Sequence, residues 1–391
     1  MKVSLLTGGG DKPYALGLLN ALISKDIIVD FIGNDEMSTA EVLADKRVNY
    51  LNLRGSQKSA APKLTKFLRV LRYYLRLIKY VTVSDSPIFH ILWFNKFILL
   101  DRTLLNIYYK LLGKKLVFTA HNVDEKERDG GNNILNRLSL RILYLLVDHI
   151  FVHTKKMKSQ LIDEFNLTEA KVSVIPFGIN NTIPKTDLTK SEARAKLHFN
   201  NYEKVLLFFG HIAPYKGLEY AIHAMDLLRE KDDNYRLVIA GQIKGCQAYW
   251  EELERTIEVL GLSKYIIKKI EYIPDEDVEA FFKAADVLVL PYKFIYQSGV
   301  LFLSYNFGLP VIATDVGSLR EDILEGRTGM ICRADDPDDL ADKVRRYFNS
   351  DLFRHLGSNM KDIISYGNEK HSWDEVGNAT YSVYGNLLAG K

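Results

Sequence analysis

The stretch VLLFFGHIAPYKGL, Val205 to Leu218, decides the fold when it is read with QSGVLFLSYNFGLPVIATDVG, Gln297 to Gly317. The first opens as an apolar run of strand length that stops at Gly210. It then passes a tight loop holding Pro214 and presents Lys216 and Gly217 where a new helix begins. The second places Gln297, Ser298, Gly299 and Val300 ahead of a helical run, which Gly308 and Pro310 end before a short strand. Loops at the carboxyl ends of parallel strands are where an open α/β sheet receives an anionic ligand. Glycine lets the backbone approach closely, amides at a helix start point at the anion, and an ammonium beside them completes a diphosphate site. The pair predicts a nucleotide diphosphate at the mouth of one α/β domain.

Taken alone, neither loop compels that reading. Lys216 could be a solvated lysine at a helix start, and Gly217 a turn residue. Ser298 could serve as an ordinary helix N-cap, a role compatible with a ligand contact. It is the second loop that weighs against the plainer reading of the first.

Outward from these loops, strand and helix patterns alternate along the whole chain. Lys2–Leu6, Ile28–Ile32, Phe89–Trp93, Lys115–Thr119, Ile150–His153 and Val172–Ile175 read as short buried strands, with helices such as Tyr14–Ser24 and Asn133–Leu146 between them. The pattern restarts with Val205–Phe209, Arg236–Ala240, Ile267–Tyr272, Val287–Leu290 and Val311–Ala313. Two rounds of βα repetition predict an α/β protein with two Rossmann-like, doubly wound domains facing across a cleft. The break falls in FGINNTIPKTDLT, Phe177 to Thr189, whose Asn, Pro, Thr and Gly content suits a linker. The expected domains are therefore 1–180 and 181–371. The amphipathic tail, 372–391, follows the completed second sheet and is expected to pack back onto the first domain.

A chain of 391 residues is long for one core, and 47% hydrophobic with 26% charged residues is the balance of an ordinary globular protein. Cys246 and Cys332 match neither a zinc spacing nor a disulfide framework and suit a reducing, cytoplasmic setting. The opening MKVSLLTGGG reads as a first strand and loop rather than a signal peptide. No window offers a membrane span: Ile88 to Leu112, the best candidate, is broken by Asn95, Lys96, Asp101 and Arg102.

The net charge of +3 conceals an asymmetry: residues 1–182 hold 26 basic and 17 acidic residues, the remainder 26 and 32. The excess centres on KLTKFLRVLRYYLRLIKY, residues 63–80, where Lys63, Lys66, Arg69, Arg72, Arg76 and Lys79 recur at helical spacing with no acid among them. Leu64, Phe67, Leu68, Leu71, Leu75 and Ile78 supply the apolar side. Such a helix suits peripheral contact with an anionic membrane at its inner face. It equally suits a solvated face on a helix packed against the sheet, with Lys and Arg stems covering apolar surface. No nucleic-acid-binding module accompanies the charge, so nucleic acid is not an expected partner.

Further motifs make the family legible. Gly8-Gly9-Gly10 closes the first strand, FTAHN ends a strand at His121, and VIPFGIN leads into the linker; FFGHIAPYKG, AADVLVLPY, GLPVIATDVG and HSWDEV follow. In this order and spacing the chain resembles the retaining GT-B glycosyltransferases of family 4, which move a sugar from a nucleotide donor. The resemblance implies that Lys216 contacts the donor phosphates, that His121 reaches the donor sugar and takes part in catalysis, and that Gly9 and Gly10 belong to a loop over donor and acceptor. It places Tyr272 and Ile273 where main-chain groups hold the base; Gly210, Gln297, Ser298, Gly299 and Val300 are the diphosphate contacts read from the two loops themselves. From the residues alone, His121 is a strand-end histidine that a purely structural role would also explain.

The chain departs from the family pattern at three places. The usual arginine five residues before the lysine is His211, a cation only when protonated. Where many members carry two glutamates eight positions apart, this chain has Ile295 and Leu303, neither of which accepts a hydrogen bond; it resembles the subset with a Ser-Gly-Val loop. Glu321, after ATDVGSLR, is the substitute acceptor considered for the ribose, against the plainer reading of a surface glutamate at a helix start.

The expected function is hexosyl transfer, with retention, from a nucleotide diphosphate sugar to a saccharide or lipid-linked saccharide in polysaccharide or glycolipid synthesis. UDP-glucose is the donor favoured and GDP-mannose the alternative, with no cofactor and no metal site expected. A non-catalytic nucleotide-sugar-binding homologue is the rival, prompted by Leu303 and His211. An NAD-dependent enzyme ranks third, because no GxGxxG follows the first strand.

Overall fold

The structure is a computed structural model that describes residues 1–57, 62–123, 134–179 and 183–390. Its contacts divide the chain into two compact units, Met1–Gly178 with Ser372–Lys391, and Ile179–His371. The boundary expected at 180/181 lies outside the described residues.

The first unit is built on seven parallel strands: β1 (Lys2–Leu6), β2 (Ile28–Gly33), β3 (Val48–Asn52), β4 (Ile88–Ile91), β5 (Lys115–Thr119), β6 (His149–Val152) and β7 (Val172–Val174). They lie in the order β3-β2-β1-β4-β5-β6-β7. Interior strands such as β4 and β6 are buried along their full length, as expected of strands covered by helices on both faces. Their Ile88, Phe89, Ile150 and Phe151 are fully buried, each contributing about 1.5–3 kcal/mol by leaving water. The sequence reading omitted β3, a polar edge strand with no fully buried residue and little hydropathy signal.

The chain leaves β1 for β2 on one side and reaches β4 on the other, so the β1/β4 boundary is the topological switch point. The loops after both strands open there. The helix Lys12–Ile23 follows the first loop, capped by Asp11, whose carboxylate accepts from Tyr14 N–H at 2.8 Å. The helix Trp373–Leu388 packs against it and closes the core: Val376 and Tyr384 are fully buried, and Tyr384 Oη lies 2.6 Å from His90 Nδ1 on β4.

The second unit holds β8 (Lys204–Phe209), β9 (Tyr235–Ala240), β10 (Ile266–Lys269), β11 (Val287–Leu290), β12 (Val311–Thr314) and β13 (Gly329–Cys332), ordered β10-β9-β8-β11-β12-β13 and all parallel. Its switch point is β8/β11, where the two loops quoted first both emerge. The four-residue β13 was also missed, being too short to show a period.

The basic segment does form a helix, Lys63–Val83, but a different face packs. Tyr73, Tyr74, Leu77 and Val81 are buried, whereas Leu64, Phe67, Leu68, Leu71, Leu75 and Ile78 are all exposed, Leu64 to 70%. A tyrosine can go inward where its hydroxyl finds a partner: Tyr74 Oη accepts from Phe97 N–H at 3.2 Å. The half-buried Tyr80 bonds Asp30 at 2.6 Å and Ser4 at 2.6 Å. Among the described residues no helix is long and apolar enough to cross a membrane.

Candidate functional site

In the second unit the segment that leads from β11 into the second quoted stretch is tied to the first: Lys293 N–H donates to the Tyr215 carbonyl at 2.9 Å. Ser318 N–H donates to the Tyr296 carbonyl at 3.0 Å and closes the second stretch on itself. Pro214–Lys216 is a single 3-10 turn, and Gly217, left-handed at φ 61°, turns the chain into the helix Leu218–Arg229. Lys216 is buried, contrary to a solvated lysine, with Nζ 5.5 Å from the centre of the Tyr292 ring. Gly210 has φ 101°, and a Cβ there would lie 3.1 Å from Lys216 Nζ and 3.5 Å from Val300 Cγ2. The strand-end glycine, the ammonium and the partner loop therefore meet at one point.

The partner loop leads into the helix Gly299–Asn306. Ser298 occupies its N-cap position with extended backbone, yet its side chain makes no capping bond; its Oγ lies 3.4 Å from Tyr292 Oη. The plain N-cap reading of Ser298 is thus corrected. Gln297 Oε1 is buried with no hydrogen-bond partner among the described residues, and Gly299 is exposed at the helix start. Of this loop Val300 reaches the point beside Gly210 where Lys216 ends, and the helix start offers amides of the kind that bind phosphate oxygens.

Other expected residues are more scattered. His211 is exposed after Gly210. Tyr272 is exposed and Ile273 buried in the segment after β10, which ends at Lys269, earlier than expected. Leu303 is buried. Glu321 is exposed, and its carbonyl accepts from Lys370 Nζ. The neighbouring Asp322, passed over in the sequence, is buried: it accepts from Ser318 Oγ at 3.0 Å and lies 3.3 Å from Lys370 Nζ. Burial pushes its carboxyl up to about 6.

In the first unit, the loop after β1 makes the closest approaches. Gly8 and Gly9 have φ of 55° and 95°. A Cβ on Gly8 would lie 1.9 Å from the Trp93 carbonyl oxygen, one on Gly9 2.0 Å from Arg54 Nη1, and one on Gly10 1.8 Å from the Trp93 ring. The glycine run lets this loop lie directly on the residues that follow β4.

Trp93 in turn stacks on His121, centroids 4.1 Å apart and planes 2° from parallel, while Tyr14 meets the same imidazole edge-on at 4.7 Å. His121 Nδ1 lies 3.1 Å from His153 Nε2, and His153 Nδ1 lies 3.3 Å from the Ile175 carbonyl oxygen. These bonds fix the tautomers. A carbonyl only accepts, so His153 carries its proton on Nδ1 and its Nε2 accepts from His121 Nδ1–H. Burial, with His153 as its neighbour, holds His121 well below the ordinary imidazole range, and burial takes His153 to about 4. Both rings are therefore neutral, and His121 Nε2 is a bare acceptor that finds no partner among the described residues. Trp93 and His153 were read only as strand ends; the rule that singled out His121 applies to both.

The family described as Glycosyl transferases group 1 matches residues 203–350, and Glycosyltransferase Family 4 matches residues 8–182. An uncharacterized glycosyltransferase of Methanocaldococcus jannaschii is 30% identical over 236 residues, 59% of this chain and 58% of that protein. A D-inositol 3-phosphate glycosyltransferase of Corynebacterium efficiens is 28% identical over 281 residues, 69% of this chain and 65% of that one. The matches thus span about three-fifths of these relatives' length. Among solved structures, a sucrose-phosphate synthase from Thermosynechococcus elongatus superposes with a TM-score of 0.74 at 18% identity, covering 100% of both chains. Anabaena HepE in complex with UDP-glucose gives 0.73 at 15% identity, covering 98% of this chain and 100% of that one. With the two family profiles matched in order along its length and its fold shared with these neighbours, the chain belongs to the GT-B glycosyltransferases of family 4, the glycosyl transferases group 1.

Proposed function

We propose that the protein transfers a hexosyl group from a nucleotide diphosphate sugar, UDP-glucose in the first instance, to a hydroxyl of a saccharide or lipid-linked saccharide, with retention at the anomeric carbon. The observation that carries this is the meeting of Gly210, Lys216 and Val300 at the switch point of the second sheet. In the reaction the bond from the anomeric carbon to the diphosphate oxygen breaks, and the diphosphate leaves with the electron pair. The acceptor oxygen forms the new bond and loses its proton. Lys216 and the amides of the Gln297–Val300 loop face the charge that grows on the leaving group. His211 adds to it when protonated. His121 Nε2 accepts a hydrogen bond from a sugar hydroxyl, with its ring held by Trp93 and His153. Tyr272 and Ile273 contribute main-chain contacts to the base, and Glu321 contacts the ribose.

The acceptor is drawn from a membrane surface in this reading, supported by the exposed leucines beside Arg69, Arg72 and Arg76 on the Lys63–Val83 helix. A thermal-shift panel of UDP, GDP, ADP and NAD tests the base: UDP raises the Tm most, and a larger shift with GDP transfers the reading to GDP-mannose. Proton NMR of the glycosylated product tests retention; an inverted anomeric signal contradicts it.

A further inference from the structure

Beside the glycine loop, the first unit holds a pocket of about 300 Å³, lined by Arg54, Gln57, Lys66, Arg69, Asn95 and Lys96 with Val70 and Tyr73. Four of the eight lining residues are cationic and none is a carboxylate. The pocket draws on three separate segments of chain, the loop after β3, the Lys63–Val83 helix and the loop after β4.

Arg54 is the organising side chain. Among the described residues its Nη2 makes two long contacts, 3.4 Å to Gln57 Oε1 and 3.3 Å to Asn95 Oδ1. Its Nη1 is buried with no hydrogen-bond partner among the described residues. The same Nη1 is the atom that a Cβ on Gly9 would strike at 2.0 Å, so the guanidinium lies flat against the glycine loop. A buried donor without a partner is destabilising, the more so when charged, so a pocket that keeps one is shaped for something that completes it. Burial lowers the guanidinium pKa, the direction that an incoming anion reverses. The carboxylates that act on it electrostatically, Glu36 and Asp101, stand outside the lining, and Asp101 is itself occupied by Asn95 N–H at 2.6 Å.

We infer that this pocket binds a phosphate group of the acceptor, with Arg54 as its fork and Lys66, Arg69 and Lys96 as point charges around it. Guanidinium matches the bidentate geometry of phosphate oxygens, and flexible ammonium groups supply the remaining charge. The inference rests on the glycosyl-transfer reading for the word acceptor; the anion site itself does not. Gly9 touches Arg54 and the next residue, Gly10, touches Trp93, which stacks on His121. A molecule anchored by phosphate at Arg54 would extend along the glycine loop toward Trp93 and the imidazole that Trp93 covers. The phosphate belongs either to a soluble phosphorylated sugar or polyol, or to a lipid headgroup, since Lys66 and Arg69 sit on the helix that exposes its leucines.

Isothermal titration with inorganic phosphate at constant ionic strength tests the site, using the 391-residue chain saturated with UDP and, separately, its Lys216→Ala variant, so that the donor loops do not report. Phosphate binds both the UDP-saturated wild type and the Lys216→Ala protein. The paired change Lys66→Gln with Arg69→Gln, on the helix side of the pocket, weakens binding at least tenfold, as does Arg54→Lys, which keeps the charge and loses the fork. Lys361→Gln, on an exposed helix of the other unit, leaves it unchanged. Vesicles containing phosphatidylglycerol separate the sources: displacement of bound phosphate assigns a lipid headgroup, and phosphate binding undisturbed by vesicles assigns a soluble ester. Phosphate binding that is absent in the wild type, or equal in the Lys66/Arg69 double variant, overturns the site. Failure of UDP to bind contradicts the glycosyl-transfer reading alone, because the phosphate titration of the Lys216→Ala protein stands without it.

Discussion

Lys216 owes its position to neighbours that carry no charge. Gly210 leaves the space its ammonium fills, Tyr292 offers the ring beside it, and Gly217 turns the chain away behind it. Gly210→Ala introduces a side chain at φ 101° and 3.1 Å from that ammonium. A strain of about 1–3 kcal/mol lands on the site itself, and kcat/KM for the nucleotide sugar is expected to fall about ten- to a hundredfold. Gly245→Ala is the matched control, with φ 71° but no atom within 4 Å of the new Cβ. It lowers Tm without that loss, and an equal loss in both variants contradicts the role given to Gly210. His153→Phe keeps a ring beside His121 but removes the acceptor for Nδ1–H. We expect kcat to drop about tenfold while the Kd for UDP, measured by titration, is unchanged.

At the scale of elements, β4, β5 and β6 carry or lead into four histidines whose pKa is driven down by burial: His90 to about 3, His149 and His153 to about 4, and His121 well below its ordinary range. A histidine held neutral stabilises the fold in full above its unfolded pKa of about 6.5, and that stability is lost as pH falls below it, because the unfolded chain binds the protons. Asp101, raised to about 6 by burial, works in the opposite sense and offsets one of these protons between about pH 6 and 4. The net is roughly three protons near pH 5, or ~4 kcal/mol per pH unit if the unit unfolds as a whole. Hydrogen exchange followed from pH 7 to pH 5, corrected for its intrinsic rate, should show β4–β6 losing protection before β8, β11 and β12. Simultaneous loss in both sheets contradicts this.

The helix Lys63–Val83 shows where sequence reading stops at this scale. Its helical period and its cations are legible; its packing face is not. Hydropathy turns the leucines inward, whereas the structure buries Tyr73 and Tyr74 and bonds Tyr80 to Asp30, partners that stand tens of residues away. The same limit explains Glu321 and Asp322. Both are acids at a helix start, and only tertiary contact distinguishes the exposed one from the buried one.

For the whole molecule, the two rounds of βα alternation were legible because interior parallel strands are continuous apolar runs, as in VLLFF and VLVL. The polar edge strand β3 and the short β13 were not, since neither buries enough of a run to stand out. Of the site, Gly9, Gly10, Gly210 and Lys216 could be found as strand-end residues, while Arg54, Trp93 and His153 gain meaning only from what the fold lays beside them. The last helix belongs to the first unit: Tyr384 reaches His90, and Trp373 lies where a Cβ on Gly17 or Gly178 would go. Truncation after His371 removes the buried Val376 and Tyr384, each worth about 1.5–5 kcal/mol. Limited proteolysis of that protein should cut within 1–178 and spare 183–371; cutting in both regions alike contradicts the assignment of the helix.

The central claim is that the Gly210–Lys216 loop and the Gln297–Val300 loop together hold the diphosphate of a sugar donor. The direct measurement is UDP release from UDP-glucose, with and without acceptor, by the wild-type and Lys216→Ala proteins at matched Tm. The account predicts turnover by the wild type and a loss of about 10²–10³-fold in the variant, the scale of removing one group that meets transition-state charge. Turnover that survives Lys216→Ala undiminished contradicts it.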